Sequence, residues 1–111
     1  YPIILPTLAI GGHGAANIGG NIIPEEMALI SRPWDSIDKV EESRKLYFKY
    51  YPLLEALYWF SNPIVIKAAL NILGLPAGRP RRPYPELVGE RLDELKKLMN
   101  DMGIIEKYGQ R

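Results

Sequence analysis

Hydrophobic positions in this chain form one apolar run, a glycine-rich interruption, and then a series of helical periods. Residues 1–10 are almost wholly apolar. Such a run fits a buried helix or a buried strand, and periodicity alone does not separate the two. Residues 11–21 read GGHGAANIGGN, with five glycines in eleven residues. That density opposes an isolated helix and suits a place where backbone approaches something closely. Within it, residues 15–18 read as a short buried strand between glycine-rich turns, taken with its flanks as about 13–18.

Helical signals dominate from there on. Pro24 suits a first helical position, and Glu25 and Glu26 favour the positive end of the helix dipole. That helix is expected to end near Arg32, because Pro33 disfavours helical geometry in the residue before it. Asp35 or Ser36 can cap the next helix. Its apolar positions Ile37, Val40, Tyr47, Tyr51, Leu54 and Tyr58 follow spacings of three and four, with Arg44 in the row. Pro52 falls inside this pattern and is expected to bend or split it. Asn62 as N-cap with Pro63 in the first turn opens a short apolar helix that Gly74 closes. Residues 75–84 form a proline- and arginine-rich connection. A last helix is expected from about Pro85 to Met102, with Val88, Leu92, Leu95, Met99 and Met102 as its stripe and Gly103 as its end.

A single strand has no pairing partner within such a chain, and its backbone groups would go unsatisfied. The expectation is therefore that part of a larger fold is missing. Tyr1 in place of Met likewise reads as an excerpted or processed chain.

Composition narrows the function classes. Fourteen Lys and Arg against 13 Asp and Glu leave a formal charge of +1 over 111 residues. This gives no electrostatic reason to expect nucleic acid or an anionic membrane as partner. The absence of cysteine excludes disulfides, thiolate zinc sites and thiol nucleophiles. No apolar run reaches the roughly 18 residues of a membrane span.

Three segments together resemble one family. They are LPTLAIGGHGAANIGGNIIPEEM (5–27), NPIVIKAALNILGL (62–75), and Arg81-Arg82-Pro83. In order and spacing they are similar to the C-terminal part of the dihydrodipicolinate synthase and N-acetylneuraminate lyase family. The match extends to about Ile105. These are class I, pyruvate-dependent aldolases on an α/β, (β/α)8 barrel with helices appended after the eighth strand. The resemblance implies that 1–33 is the end of a barrel, comprising the seventh helix, the eighth strand and the eighth helix. Residues 34–111 would be the C-terminal helical region. This chain would then be a mostly α fragment carrying the last barrel strand, about 13–18.

The same resemblance implies a Schiff-base mechanism, with a lysine on the sixth strand, a proton-relaying tyrosine and a threonine-containing carboxylate loop. All of these precede the matching region, so no catalytic residue is expected in this chain and the fragment alone is expected to be inactive. What remains of the pocket is backbone. In the family, the carbonyl of the second residue after the strand glycine lies near pyruvate; counted from Gly14, that is Ala16, with Asn17 beside it. The family commonly reads Gly-Val-Ile-Ser-Val here, and this chain reads Gly14-Ala15-Ala16-Asn17-Ile18. Two bulky apolar residues have become alanines and a serine has become Asn17. The implied activity is condensation of pyruvate with aspartate semialdehyde in lysine biosynthesis, in the cytoplasm, by a homotetramer that needs no cofactor and no metal. Sugar-acid or sialic-acid aldol chemistry is the alternative within the family. A non-catalytic helical interaction domain derived from it is the alternative outside enzymology.

Other candidates have plainer readings. Lys67 sits in the best-matched segment, but a Schiff-base lysine needs a desolvated setting that lowers its pKa, and its neighbours suggest none. His13, the only histidine, has no Asp, Glu or Cys nearby in sequence to orient it. Residues 11–20 lack the spacing of phosphate-binding loops. Of the aromatics Tyr47, Phe48, Tyr50, Tyr51, Tyr58, Trp59 and Phe60, most are expected in core packing, and some against another part of a barrel or another subunit. Arg79, Arg81 and Arg82 read as a solvated connection rather than an anion site.

Overall fold

The computed structural model describes residues 4–110. Six α-helices and one 3-10 turn make up its regular structure, in chain order α1 (Ile4–Ala9), the 3-10 turn (Ile18–Asn21), α2 (Pro24–Ser31), α3 (Ile37–Ala56), α4 (Ile64–Ile72), α5 (Glu90–Asp101) and α6 (Ile104–Tyr108). Contacts group the chain into two compact units, Tyr1–Tyr51 and Pro52–Arg111.

In the first unit, α1 buries Ile4 and Leu8, spaced one turn apart. The helical outcome of the ambiguous run agrees with the family-based expectation from Ile4 onward; residues 1–3 lie outside the described residues. Helix α1 ends in a glycine pair. Gly11 has φ +96, and the Gly12 N–H donates to the Thr7 carbonyl at 2.9 Å. Helix α2 opens with Pro24 at its first turn and buries Met27 and Ile30. It ends where Arg32 turns extended before Pro33 (φ −70, ψ 152), as the steric effect of proline requires.

Residues 12–17 have no regular structure, and there is no strand among the described residues. The strand expected at 13–18 is not formed among the described residues. A strand exists only through ladder hydrogen bonds to a neighbour, and this unit provides none. Ile18 instead starts the 3-10 turn.

Helix α3 departs from expectation in two ways. It runs unbroken through Pro52. Losing one hydrogen bond and clashing with the preceding turn costs about 3 kcal/mol. Leu53 and Leu54, both buried, each return about 1.5–3 kcal/mol on burial, and Pro52 itself faces solvent. The buried face is also rotated from the expected one: Ser43, Tyr47, Tyr50, Leu53, Leu54 and Ala56 are buried, whereas Ile37 is 73% exposed. Ser36 provides the cap, its hydroxyl accepting from the Lys39 N–H at 3.4 Å.

In the second unit, α4 buries Ile64, Val65, Ile66 and Ala69. The cap differs from expectation. Pro63 itself occupies the N-cap position, and no side chain caps the helix; the Asn62–Pro63 peptide is cis. At the other end Gly74 adopts φ +84, the left-handed conformation that a helix C-terminus favours in glycine. The last helix is shorter than expected. Gly89 has φ +71, so α5 begins at Glu90, and Val88 is 68% exposed rather than part of its stripe. Leu95 and Met99 are fully buried. Gly103 ends α5 as expected, with φ +73. The short α6 that follows was not expected. Beyond it, the Gln110 N–H donates to the Leu73 carbonyl at 2.7 Å, which ties the chain end to the end of α4.

Candidate functional site

The glycine-rich segment of the first unit is where the sequence placed the remnant of a pocket. Its geometry starts at Asn17, whose backbone is extended (φ −139, ψ 138). The Asn17 Oδ1 accepts from the Gly19 N–H at 2.7 Å, which satisfies an otherwise unpaired donor at the start of the 3-10 turn. The turn then bends the chain into Pro24 and α2. Ala15, Asn17, Gly20, Pro24, Met27 and Ser31 line an open hollow of about 300 Å³.

Of the two residues singled out in sequence, Asn17 borders this hollow, half-buried and engaged in the turn. Ala16 is exposed and does not line it. His13 is exposed. No group of three or more His, Cys, Asp or Glu suited to a metal ion exists among the described residues.

Electrostatic detail in this unit lies at the α2–α3 connection. Arg32 pairs with Glu42, and the Lys39 ammonium donates to Asp35 Oδ1 at 2.6 Å. The hydrogen bond and charge of Lys39 hold the exposed Asp35 carboxyl below its ordinary range.

Lys67 has a structural task. Its Nζ donates to the Ala77 carbonyl at 3.0 Å. One turn on, Asn71 clasps Gly78: Nδ2 donates to the Gly78 carbonyl at 3.0 Å, and the Gly78 N–H donates to Oδ1 at 3.3 Å. These two side chains hold the proline- and arginine-rich connection against α4. Sequence reading missed the Asn71 clasp. The available signal was Asn71 at i+4 from Lys67 with a flexible Gly78 a few residues on. In the connection, Arg79 pairs with Glu86 at 3.0 Å, and Arg81 and Arg82 are exposed.

The aromatics divide. Tyr47 and Tyr50 are buried, whereas Phe48, Tyr58 and Phe60 are exposed. The Arg91 guanidinium lies 4.7 Å from the centre of the Trp59 ring.

The profile of the dihydrodipicolinate synthetase family matches residues 2–102 of the chain. The 4-hydroxy-tetrahydrodipicolinate synthase of Methanocaldococcus jannaschii is 34% identical over 104 residues, 93% of this chain and 35% of that protein. The protein of the same name from Acetivibrio thermocellus is 35% identical over 104 residues, again 93% and 35%. Among solved structures, dihydrodipicolinate synthase from Cyanidioschyzon merolae, crystallised with lysine bound, superposes with a TM-score of 0.83 at 30% identity, over 92% of this chain and 34% of that one. The chain therefore spans about a third of the length of the relatives it resembles.

Proposed function

The chain belongs to the dihydrodipicolinate synthetase family, and from that premise we propose that it acts as the C-terminal portion of a Schiff-base pyruvate lyase, a 4-hydroxy-tetrahydrodipicolinate synthase. The whole protein would condense pyruvate with aspartate semialdehyde in lysine biosynthesis. The observation that carries this reading is an asymmetry of coverage: the similarity takes in 93% of this chain but 35% of the relative. A part-to-whole relation accounts for that. The shared name of the relatives, including those from Methanopyrus kandleri and Caldicellulosiruptor saccharolyticus, favours this activity over sugar-acid or sialic-acid aldol chemistry.

In the whole protein, residues 13–18 would become the eighth strand of a (β/α)8 barrel, between the seventh helix (α1) and the eighth (α2). The extended backbone of Asn17 supports this. Catalytic sites of such barrels gather at the C-terminal ends of the strands. The Ala16 carbonyl would then face pyruvate, with Asn17 next to it. The Schiff base, formed from an amine and the pyruvate ketone with loss of water, would belong to a lysine outside this chain. Lys67 donates to the Ala77 carbonyl, which supports a structural role rather than Schiff-base chemistry. The 111 residues alone would be inactive, and the enzyme would work without cofactor or metal, as a cytoplasmic homotetramer.

The test is the intact mass of the protein from cells, followed by pyruvate and borohydride trapping. The expected mass lies well above 12.6 kDa, with the adduct on a lysine outside residues 1–111. An adduct on Lys67 would overturn the assignment. A 12.6 kDa protein that traps no pyruvate would favour a helical interaction domain instead.

A further inference from the structure

In the second unit, α4, α5 and the connection between them border a half-open cavity of about 240 Å³. Its size suits a molecule of a few heavy atoms rather than a nucleotide. The apolar part of its lining is aliphatic: Ile64, Ala68, Ile72, Pro80, Leu87 and Leu92. Its polar part is Lys67, Asn71, Glu86 and Lys96, with the backbone of Gly78.

Accounting for the polar groups leaves one kind of charge uncompensated. Asn71 uses both ends of its amide on Gly78. Glu86 is paired with Arg79 at 3.0 Å. Lys67 is half-buried, and its ammonium carries three donors. Its hydrogen bond to the Ala77 carbonyl occupies one of them. Lys96, exposed on α5, adds a second positive charge to the same lining. A half-buried cation with spare donors is better satisfied by an anionic acceptor than by none. Inorganic phosphate would offer that charge but would gain nothing from the aliphatic walls.

We propose that this cavity binds a short-chain aliphatic monocarboxylate, its carboxylate on Lys67 and Lys96 and its alkyl body against Ile72 and Leu92. All the groups lie in the second unit, so the inference stands apart from the proposed enzymatic role.

An NMR titration of the full chain with butyrate, butylammonium and inorganic phosphate tests it. Butyrate is expected to give saturable shifts at Ala68, Asn71 and Leu87, weakening as salt is added. Butylammonium and phosphate are expected to give none there. Lys67→Gln can still donate to Ala77 but carries no charge, and should weaken butyrate binding on the order of tenfold or more, the loss of one charge-assisted hydrogen bond. Lys96→Gln should weaken it less. Equal response to phosphate or to butylammonium would overturn the proposal, as would unchanged butyrate affinity in a folded Lys67→Gln chain. If that variant loses its fold, Lys96→Gln decides: unchanged affinity overturns the proposal.

Discussion

Asn71 and Gly78 exchange two hydrogen bonds, from Nδ2 to the Gly78 carbonyl at 3.0 Å and from the Gly78 N–H to Oδ1 at 3.3 Å. An asparagine side chain offers the donor and acceptor of a peptide group, so here it stands in for a neighbouring backbone. The connection at 75–84 thereby gains a fixed path although it has no helix or strand. Asn71→Ala is expected to cost about 1 kcal/mol, since both bonds are solvent-exposed. The Gly78 amide should lose its protection in hydrogen exchange while α4 amides keep theirs. Unchanged protection at Gly78 would show that the clasp does not hold the connection.

A second side chain-to-backbone bond acts within the first unit. The Ser43 hydroxyl donates to the Ile30 carbonyl at 2.7 Å, with both residues fully buried. Ile30 lies in the last turn of α2, where carbonyls lack partners in their own helix. Ser43→Ala would leave that carbonyl buried without this donor, at an expected cost of about 1–3 kcal/mol. Urea denaturation reads the change directly. A loss no larger than that of an exposed, non-capping Ser61→Ala control would contradict the assignment.

Ser43 also explains what the sequence concealed. Hydrophobic spacing along α3 selected Ile37, Val40, Tyr47 and Tyr51, but a serine whose hydroxyl is satisfied by another helix carries no apolar signature. The buried face therefore lies partly to one side of the expected one, through Ser43 and Tyr50. Local chemistry was more legible. Pro24, Pro33, Gly74 and Gly103 act on their own backbone or that of the preceding residue, and each marks a helix boundary where it was expected. The family resemblance, carried by three short segments, agrees with the profile match over residues 2–102. A strand at 13–18 is a different kind of statement. It depends on ladder partners that no local pattern can supply, and the candidate site at Ala16 and Asn17 depends on the same partners.

The Asp35–Lys39 pair gives a pH signature. The Asp35 carboxyl sits below its ordinary value, first through the Lys39 hydrogen bond. A carboxyl with a lowered folded pKa contributes stability above its unfolded pKa, and that contribution fades as pH falls through the folded value. The stability difference between the native chain and Asp35→Asn should therefore exist at neutral pH and vanish in acid, below the usual aspartate range near 3.8. High salt should shrink it as well, because the pair is exposed. An NMR titration of the Asp35 carboxyl should move to higher pH in Lys39→Gln. No movement would remove Lys39 as the cause.

Two glycines of the 11–21 segment should respond oppositely to alanine. A Cβ built on Gly12 would lie 2.6 Å from Thr7 Cγ2 and 2.7 Å from the Thr7 carbonyl oxygen. The second contact is with backbone, so a rotamer change in Thr7 does not relieve it. Moving the chain instead would break the Gly12 N–H bond to that same carbonyl. Gly12→Ala is therefore expected to destabilise by about 1–3 kcal/mol and to free the end of α1. A Cβ on Gly20 meets nothing within 4 Å, and that glycine does not have a positive φ. Gly20→Ala should leave the melting temperature unchanged or raise it slightly, since alanine reduces the freedom of the unfolded chain. Thermal melts of the two variants decide the matter. Equal effects would mean that the close approach at Thr7 does not constrain the chain.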